Sequence, residues 1–289
     1  MFSSYLLSLR EGIEVALLIG ITLGTLRKFE RPQLVPVVWS GIISAVVISL
    51  LTAIILNRIG VSVDGDAEKI FEGITMLVAA GVLTWMIFWM RCHARNLRVG
   101  LETDIRRAML HTGKKALFIV AFVVVLREGI ELALFLTSVT MTSTVQQTLL
   151  GSVLGLSTAF IFGWVLFTTT IKLDLRRFFD LTGILLILFA AGLVAHGVHE
   201  FNEVGWVPPI IEPIWDINFI LDENSPLGSM LKTLFGYNGN PSLSEVLAYL
   251  TYFAAIVFGL SWSFFARTLR QGTGVLPNTL MDNFRKNKN

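Results

Sequence analysis

The chain of 289 residues is 54% hydrophobic and only 15% charged, with a formal net charge of +2. Soluble domains carry about 25% charged residues, so a soluble globular protein is excluded, and nothing in the charge suggests a nucleic-acid partner. A single cysteine, Cys92, rules out an internal disulfide.

The apolar residues fall in blocks, each long enough to cross a ~30 Å hydrocarbon core as a helix of ~20 residues. In chain order they predict seven spans, at about 4–26, 35–57, 69–90, 116–139, 148–170, 180–200 and 246–266. The fold class expected is an all-α integral membrane protein. The first block contains Arg10, Glu11 and Glu14 and has no basic n-region before it, so it reads as a retained span and not as a signal peptide.

Lysine and arginine placement predicts the orientation. Arg27, Lys28 and Arg31 follow span 1. Arg91, Arg95, Arg98, Arg106, Arg107, Lys114 and Lys115 follow span 3, and Lys172, Arg176 and Arg177 follow span 5. The tail adds Arg267, Arg270, Arg285, Lys286 and Lys288, so 18 of the 23 basic residues lie on one side. The alternate segments are acidic, with Asp64, Asp66 and Glu68 before span 3 and Glu203, Glu212, Asp216, Asp222, Glu223 and Glu245 before span 7. The N-terminus is expected outside and the C-terminus in the cytoplasm. Trp85 and Trp89, next to Arg91, read as interfacial aromatics at the inner end of span 3.

The pentapeptide Arg-Glu-Gly-Ile-Glu occurs twice, at Arg10–Glu14 in span 1 and Arg127–Glu131 in span 4. These spans run in opposite directions, which predicts an inverted 3+3 repeat with span 7 appended. "AAG" at Ala79–Gly81 in span 3 and Ala190–Gly192 in span 6 adds weaker support. The expected units are a first three-helix repeat over 1–110, a second over 111–200, an extracytoplasmic segment over 201–245, and span 7 with its tail over 246–289. Within the extracytoplasmic segment, "PIWDINFIL" and "SMLKTLFGY" suggest helices on the outer face. Inverted-repeat transporters place their site near the midplane, where the repeats meet. At 1.5 Å per residue, Arg10–Glu14 sits roughly 9–15 Å and Arg127–Glu131 roughly 12–18 Å below the outer surface, so the two motifs overlap in depth.

At about 100° per residue, Arg10, Glu11 and Glu14 share one arc of their helix, as do Arg127, Glu128 and Glu131, while Gly12 and Gly129 permit close helix approach. Each charge near a span centre costs about 2.5–3.5 kcal/mol. Six of them together need a compensating partner. Four carboxylates and two guanidiniums sum to −2 when ionised, and oxygen donors without His or Cys suit a hard cation. The arginines hold the carboxylates in place. The alternative is a pair of i,i+4 ion pairs that glue the bundle, which leaves Glu11 and Glu128 without partners.

The chain resembles the oxidase-dependent iron permease family, in its bacterial inner-membrane form. The signature is Arg-Glu-X-X-Glu in spans 1 and 4, joined here by "IFEGITMLVAAGVLTWMIFWMR" in span 3 and "LFGYNGNPSLSEVL" before span 7. The resemblance implies a multi-pass protein of the bacterial inner membrane that imports iron as its substrate, with no bound organic cofactor. It implies Glu11, Glu14, Glu128 and Glu131 as ligands, Arg10 and Arg127 as supports, and an extracytoplasmic oxidase or iron-delivery protein as partner. Any ferroxidase activity belongs to that partner, and an oligomer is compatible with the family.

Other residues invite a role. Asp64, Asp66, Glu68 and Glu72 crowd the outer entrance of span 3, as a cation funnel or as an ordinary solvated loop. His196, His199 and Glu200 share a face at the outer end of span 6 and fit either a borderline metal or an interfacial set. In the bacterial family pattern the acidic residue aligns better with Glu203, which makes the trio a departure. Cys92, His93 and His111 read as a solvated basic loop, and Met76, Met86 and Met90 as packing. The cargo expected is Fe3+, or Fe2+ coupled to oxidation. Competing readings are import of another divalent ion such as Mn2+, and a carboxylate di-metal oxidase, which would favour Glu-X-X-His on facing helices.

Overall fold

The computed structural model describes residues 1–62, 64–93, 100, 103, 105, 113–168, 175–223 and 225–272. Among them the chain is helical, with no strand. Long helices cover Phe2–Lys28 (α1), Val35–Ser62 (α2), Asp66–His93 (α3), Gly113–Thr142 (α4), Val145–Thr168 (α5) and Leu175–Glu203 (α6). A short helix, Pro226–Phe235 (α7), precedes the last long one, Leu243–Gly272 (α8). Four stretches, Pro32–Gly60, Asp66–Met90, Val145–Val165 and Phe178–Glu203, are long and apolar enough to cross a membrane. The chain is a multi-pass membrane protein.

Its exterior is that of a lipid-facing molecule. Ile43, Leu50 and Ile55 of α2 and Val153, Phe160 and Trp164 of α5 are exposed. Hydroxyl groups inside the helices are satisfied locally: Thr22 donates to the Leu18 carbonyl, Ser49 to Ala45 and Thr137 to Ala133. Such back-bonding lets Ser and Thr sit in hydrocarbon without an orphaned group.

α1 packs chiefly on α5, α2 on α4, and α3 on α6, while α1 and α4 also meet each other. α8 lies against α6, and α7 leans on α6 and touches α1 and α4. One apolar core joins Leu7, Met76, Met86, Phe135, Phe189 and Ile256, and a second joins Leu26, Val38, Ala45, Leu117 and Val125. Met76, Met86 and Met90 all pack into the first.

Missing side chains bring the helices together. A Cβ at Gly12 would stand 2.6 Å from the Ala159 Cβ, and one at Gly129 would strike the Ser49 hydroxyl. A Cβ at Gly155 would stand 2.5 Å from the Tyr5 carbonyl oxygen and 2.9 Å from the Leu9 nitrogen. Close backbone approach replaces the hydrophobic driving force that is missing between helices in lipid.

The stretch over 201–245 departs from expectation in one place. "SMLKTLFGY" contributes most of α7, capped by the Ser225 hydroxyl, which accepts from the Gly228 nitrogen, and closed by Gly236 at φ 68°. "PIWDINFIL" forms turns, not a helix, because Pro213, Asp216 and Asn218 interrupt it; Asp216 caps the Asn218 nitrogen.

Gly155→Val should lower stability by about 1–3 kcal/mol through overpacking against α1. Gly81, where an added Cβ would meet nothing within 4 Å, should accept alanine without loss. Thermal melting of the purified protein in detergent, followed by size exclusion, reads both. Equal melting temperatures for Gly155→Val and the unaltered protein would contradict the close α1–α5 crossing.

Candidate metal site

The two charged pentapeptides meet where α1 faces α4. In the α1 copy, Arg10, Glu11 and Glu14 are buried to 2%, 1% and 7% exposure. Arg10 Nη1 donates to Glu11 Oε1 at 2.8 Å, and Nη2 lies 2.9 Å from Glu14 Oε1. The same Nη1 is 3.0 Å from the Met86 sulfur. Arg10 thus pairs with both glutamates of its motif, not only with the one at i+4. The objection to the bundle-glue alternative, that it leaves Glu11 without a partner, therefore falls for Glu11 and stands for Glu128, which has no arginine partner among the described residues.

The α4 copy is arranged differently. Arg127 Nε donates to Glu131 Oε1 at 2.9 Å, and its guanidinium carbon lies 4.7 Å from the ring centre of Trp89 and 5.4 Å from that of Trp85. Among the described residues Arg127 pairs with Glu131 and not with Glu128. Trp85 and Trp89, read from sequence as interfacial anchors, carry the arginine as well.

Carboxylate oxygens of Glu11, Glu128 and Glu131, one from each, lie within 4.8 Å of one another, all three residues buried. One cation with metal–oxygen bonds of roughly 2.0–2.6 Å bridges such a separation. Glu14 stays outside this trio, held by Arg10. Each of the four nevertheless keeps one buried oxygen with no hydrogen-bond partner: Glu11 Oε2, Glu14 Oε1, Glu128 Oε2 and Glu131 Oε2. Glu14 Oε1 is near Arg10 but lacks hydrogen-bond geometry. An unpaired buried carboxylate oxygen is costly, and four in one place make an arrangement that a cation would complete.

The outer candidates lie apart from this cluster. Asp64, Asp66 and Glu68 are exposed. Asp66 and Glu68 occupy the first turn of α3, where they also complement the helix dipole. Glu72 is half-buried among Glu68, Glu200 and Glu203. His196 Nδ1 lies 3.1 Å from the Gly192 carbonyl oxygen. His199 does not turn to Glu200: its Nδ1 is 3.0 Å from Glu245 Oε1 and its Nε2 3.4 Å from Glu203 Oε1. Glu203 in turn pairs with Lys69 at 2.6 Å. These groups tie α3, α6 and α8 together at one end, and among the described residues only Glu11, Glu128 and Glu131 converge as a trio of possible ligands. The side chains of Cys92 and His93, and all of His111, lie outside the described residues.

Glu245 was legible from sequence only as one more acid of the outer segment, yet it is 4% exposed. It accepts from Ser242 and Asn238 and forms a capping box, in which the Glu245 nitrogen also approaches the Ser242 hydroxyl. The signal was present as Ser-X-X-Glu ahead of an apolar run.

Residues 1–270 match the Iron permease FTR1 family. The chain is 34% identical over 265 residues to "Ferrous iron permease EfeU" of Shigella sonnei (strain Ss046), which covers 90% of this chain and 96% of that protein. It is 34% identical to the protein of the same name from Yersinia pestis, covering 90% and 94%. It is as similar to "Putative inactive ferrous iron permease EfeU" of Escherichia coli (strain K12), covering 90% and 96%. No solved structure matches it. With an all-helical membrane fold and a family match spanning nearly its whole length, the chain belongs to the FTR1 iron permease family.

Proposed function

We propose that the chain imports iron across the bacterial cytoplasmic membrane through the carboxylate cluster of Glu11, Glu128 and Glu131, with Glu14 as the adjoining fourth ligand and Arg10 and Arg127 as supports. The observation that supports this reading is the convergence of Glu11, Glu128 and Glu131, each with a buried carboxylate oxygen that has no hydrogen-bond partner, beside a Glu14 oxygen that has only its ion pair with Arg10. Oxygen donors alone favour a hard ion over a thiophilic one. Ionised, the six charged groups sum to −2, which Fe2+ cancels. That balance, with the ferrous permeases among the relatives, favours Fe2+ at the site over the Fe3+ that hardness alone selects. An inside-negative potential favours entry by roughly 2.3 kcal/mol per charge per 100 mV.

The helices form an inverted repeat in this reading, α1–α3 against α4–α6, with α8 as a seventh span and the N-terminus outside. The packing supports it. Exchanging α1 with α4 and α2 with α5 turns the α1–α5 pair into the α4–α2 pair, while α1–α4 and α3–α6 map onto themselves. Gly12 and Gly129, at the same motif position, each face the middle helix of the other repeat. Loading of the site from outside falls to the acids at the head of α3, chiefly Glu72, with Glu68, Asp64 and Asp66 drawing cations in. His196, His199, Glu200 and Glu203 belong to the outer framework. Oxidation, where it occurs, belongs to an extracytoplasmic partner.

Reconstituted in vesicles, Glu11→Ala, Glu128→Ala and Glu131→Ala should each cut radioactive iron uptake more than about tenfold. Uptake near the unaltered level in any of them would remove that glutamate from the pathway. A fiftyfold excess of Mn2+ should leave more than half of the iron uptake; stronger inhibition would make the chain a general divalent importer. For orientation, Asn240→Cys in a Cys92→Ser background should react with a membrane-impermeant maleimide in intact cells. Labelling only after cell lysis would reverse the topology.

A further inference from the structure

The two motif copies share a sequence but not a geometry. Arg10 pairs with the glutamate beside it, Glu11, at 2.8 Å and also lies against Glu14. Arg127 has the same neighbour, Glu128, yet pairs with Glu131 and not with it. Nothing in the pentapeptide explains this, since the two copies are identical over Arg-Glu-Gly-Ile-Glu. The two arginines meet different groups on α3. Within one turn of that helix, Trp85 and Trp89 present their rings to the Arg127 guanidinium, and Met86 presents its sulfur to Arg10.

We infer that Trp85 and Trp89 are positioning residues that hold the Arg127 guanidinium away from Glu128 and so keep that carboxylate free for the cargo. This rests on the carboxylate cluster being the iron site. A guanidinium seated on two ring faces, with its Nε committed to Glu131, cannot also turn a terminal nitrogen onto Glu128 as Arg10 does onto Glu11. The tryptophan face is suited to this task. It attracts an arginine through its π cloud, offers no anionic oxygen, and gives a hard cation no ligand. A carboxylate in the same place would hold Arg127 equally well, but it would also compete for the ion. One α3 turn thus steadies both motif arginines with groups that do not bind the cargo.

The test is iron uptake into vesicles by the purified full chain, with KM and maximal rate measured separately. Trp85→Leu/Trp89→Leu removes both π faces while keeping apolar bulk, and Trp85→Phe/Trp89→Phe keeps them. The leucine pair should raise KM about tenfold with the maximal rate within about twofold, as the freed guanidinium competes for Glu128. The phenylalanine pair should stay within about threefold of the unaltered KM. A KM unchanged in the leucine pair, or raised equally in both pairs, overturns the inference; a role in folding alone would lower the maximal rate and leave KM. Should the leucine pair not fold, Trp89→Leu against Trp89→Phe gives the same comparison at the nearer ring. Active Glu128→Ala would remove Glu128 from the iron site, the part of that reading on which this inference rests, whereas inactive Glu128→Ala with an indifferent leucine pair sinks only the role of the tryptophans.

Discussion

Carboxylates and guanidiniums withdrawn from water govern how the rest of this molecule is built. α1 and α4 each carry a triplet of charges that would cost about 2.5–3.5 kcal/mol apiece at the centre of an isolated span. Neither helix can face lipid on that side. The solution is enclosure: α5 covers α1, α2 covers α4, and α3 closes over both motifs, leaving Glu11 at 1% and Glu128 at 5% exposure. The apolar exposure of α2 and α5 follows from the same demand, because the helices that shield the charges are the ones left to meet the bilayer.

Shielding of that kind depends on distance as well as coverage. A side chain at Gly12 or Gly129 would push the covering helix off by the width of a methyl group, and the charges beneath would gain a path to lipid or water. Glycine sits inside the motif, between its two glutamates, since the residue flanking a buried carboxylate must let the neighbouring backbone approach. Arg-Glu-Gly-Ile-Glu therefore encodes both the charge and the means of burying it. The convergence of the two copies was legible for that reason: period and spacing place three charges on one arc of each helix, and burying both arcs brings them to face each other, as Glu11, Glu128 and Glu131 do. Helix limits were legible too: the helices over Gly113–Thr142 and Leu175–Glu203 extend only a few residues past the apolar runs within them.

What escaped the sequence has a shared physical character. The contact of Arg127 with Trp85 and Trp89 joins helices whose register is fixed only on packing, and tryptophans beside Arg91 satisfy the rule for interfacial aromatics too well to suggest a second duty. The 3.6-residue period aligns His196 with both His199 and Glu200, but the imidazole of His199 meets a buried Glu245 from α8 instead. Periodicity says which residues look the same way. It says nothing about which group from another helix they meet.

An import site must bind its ion and also let it go, and a cage with every ligand clamped does only the first. In the α1 half, Arg10 is enclosed at 2% exposure, paired with one carboxylate and beside a second, and backed by a thioether. In the α4 half, Arg127 has a third of its side chain exposed, one carboxylate partner, and two ring faces that hold a cation without fixing its orientation as an ion pair would. Identical pentapeptides on α1 and α4 thus sit in unlike surroundings, one arginine enclosed by two carboxylates and a thioether, the other by one carboxylate and two indole rings.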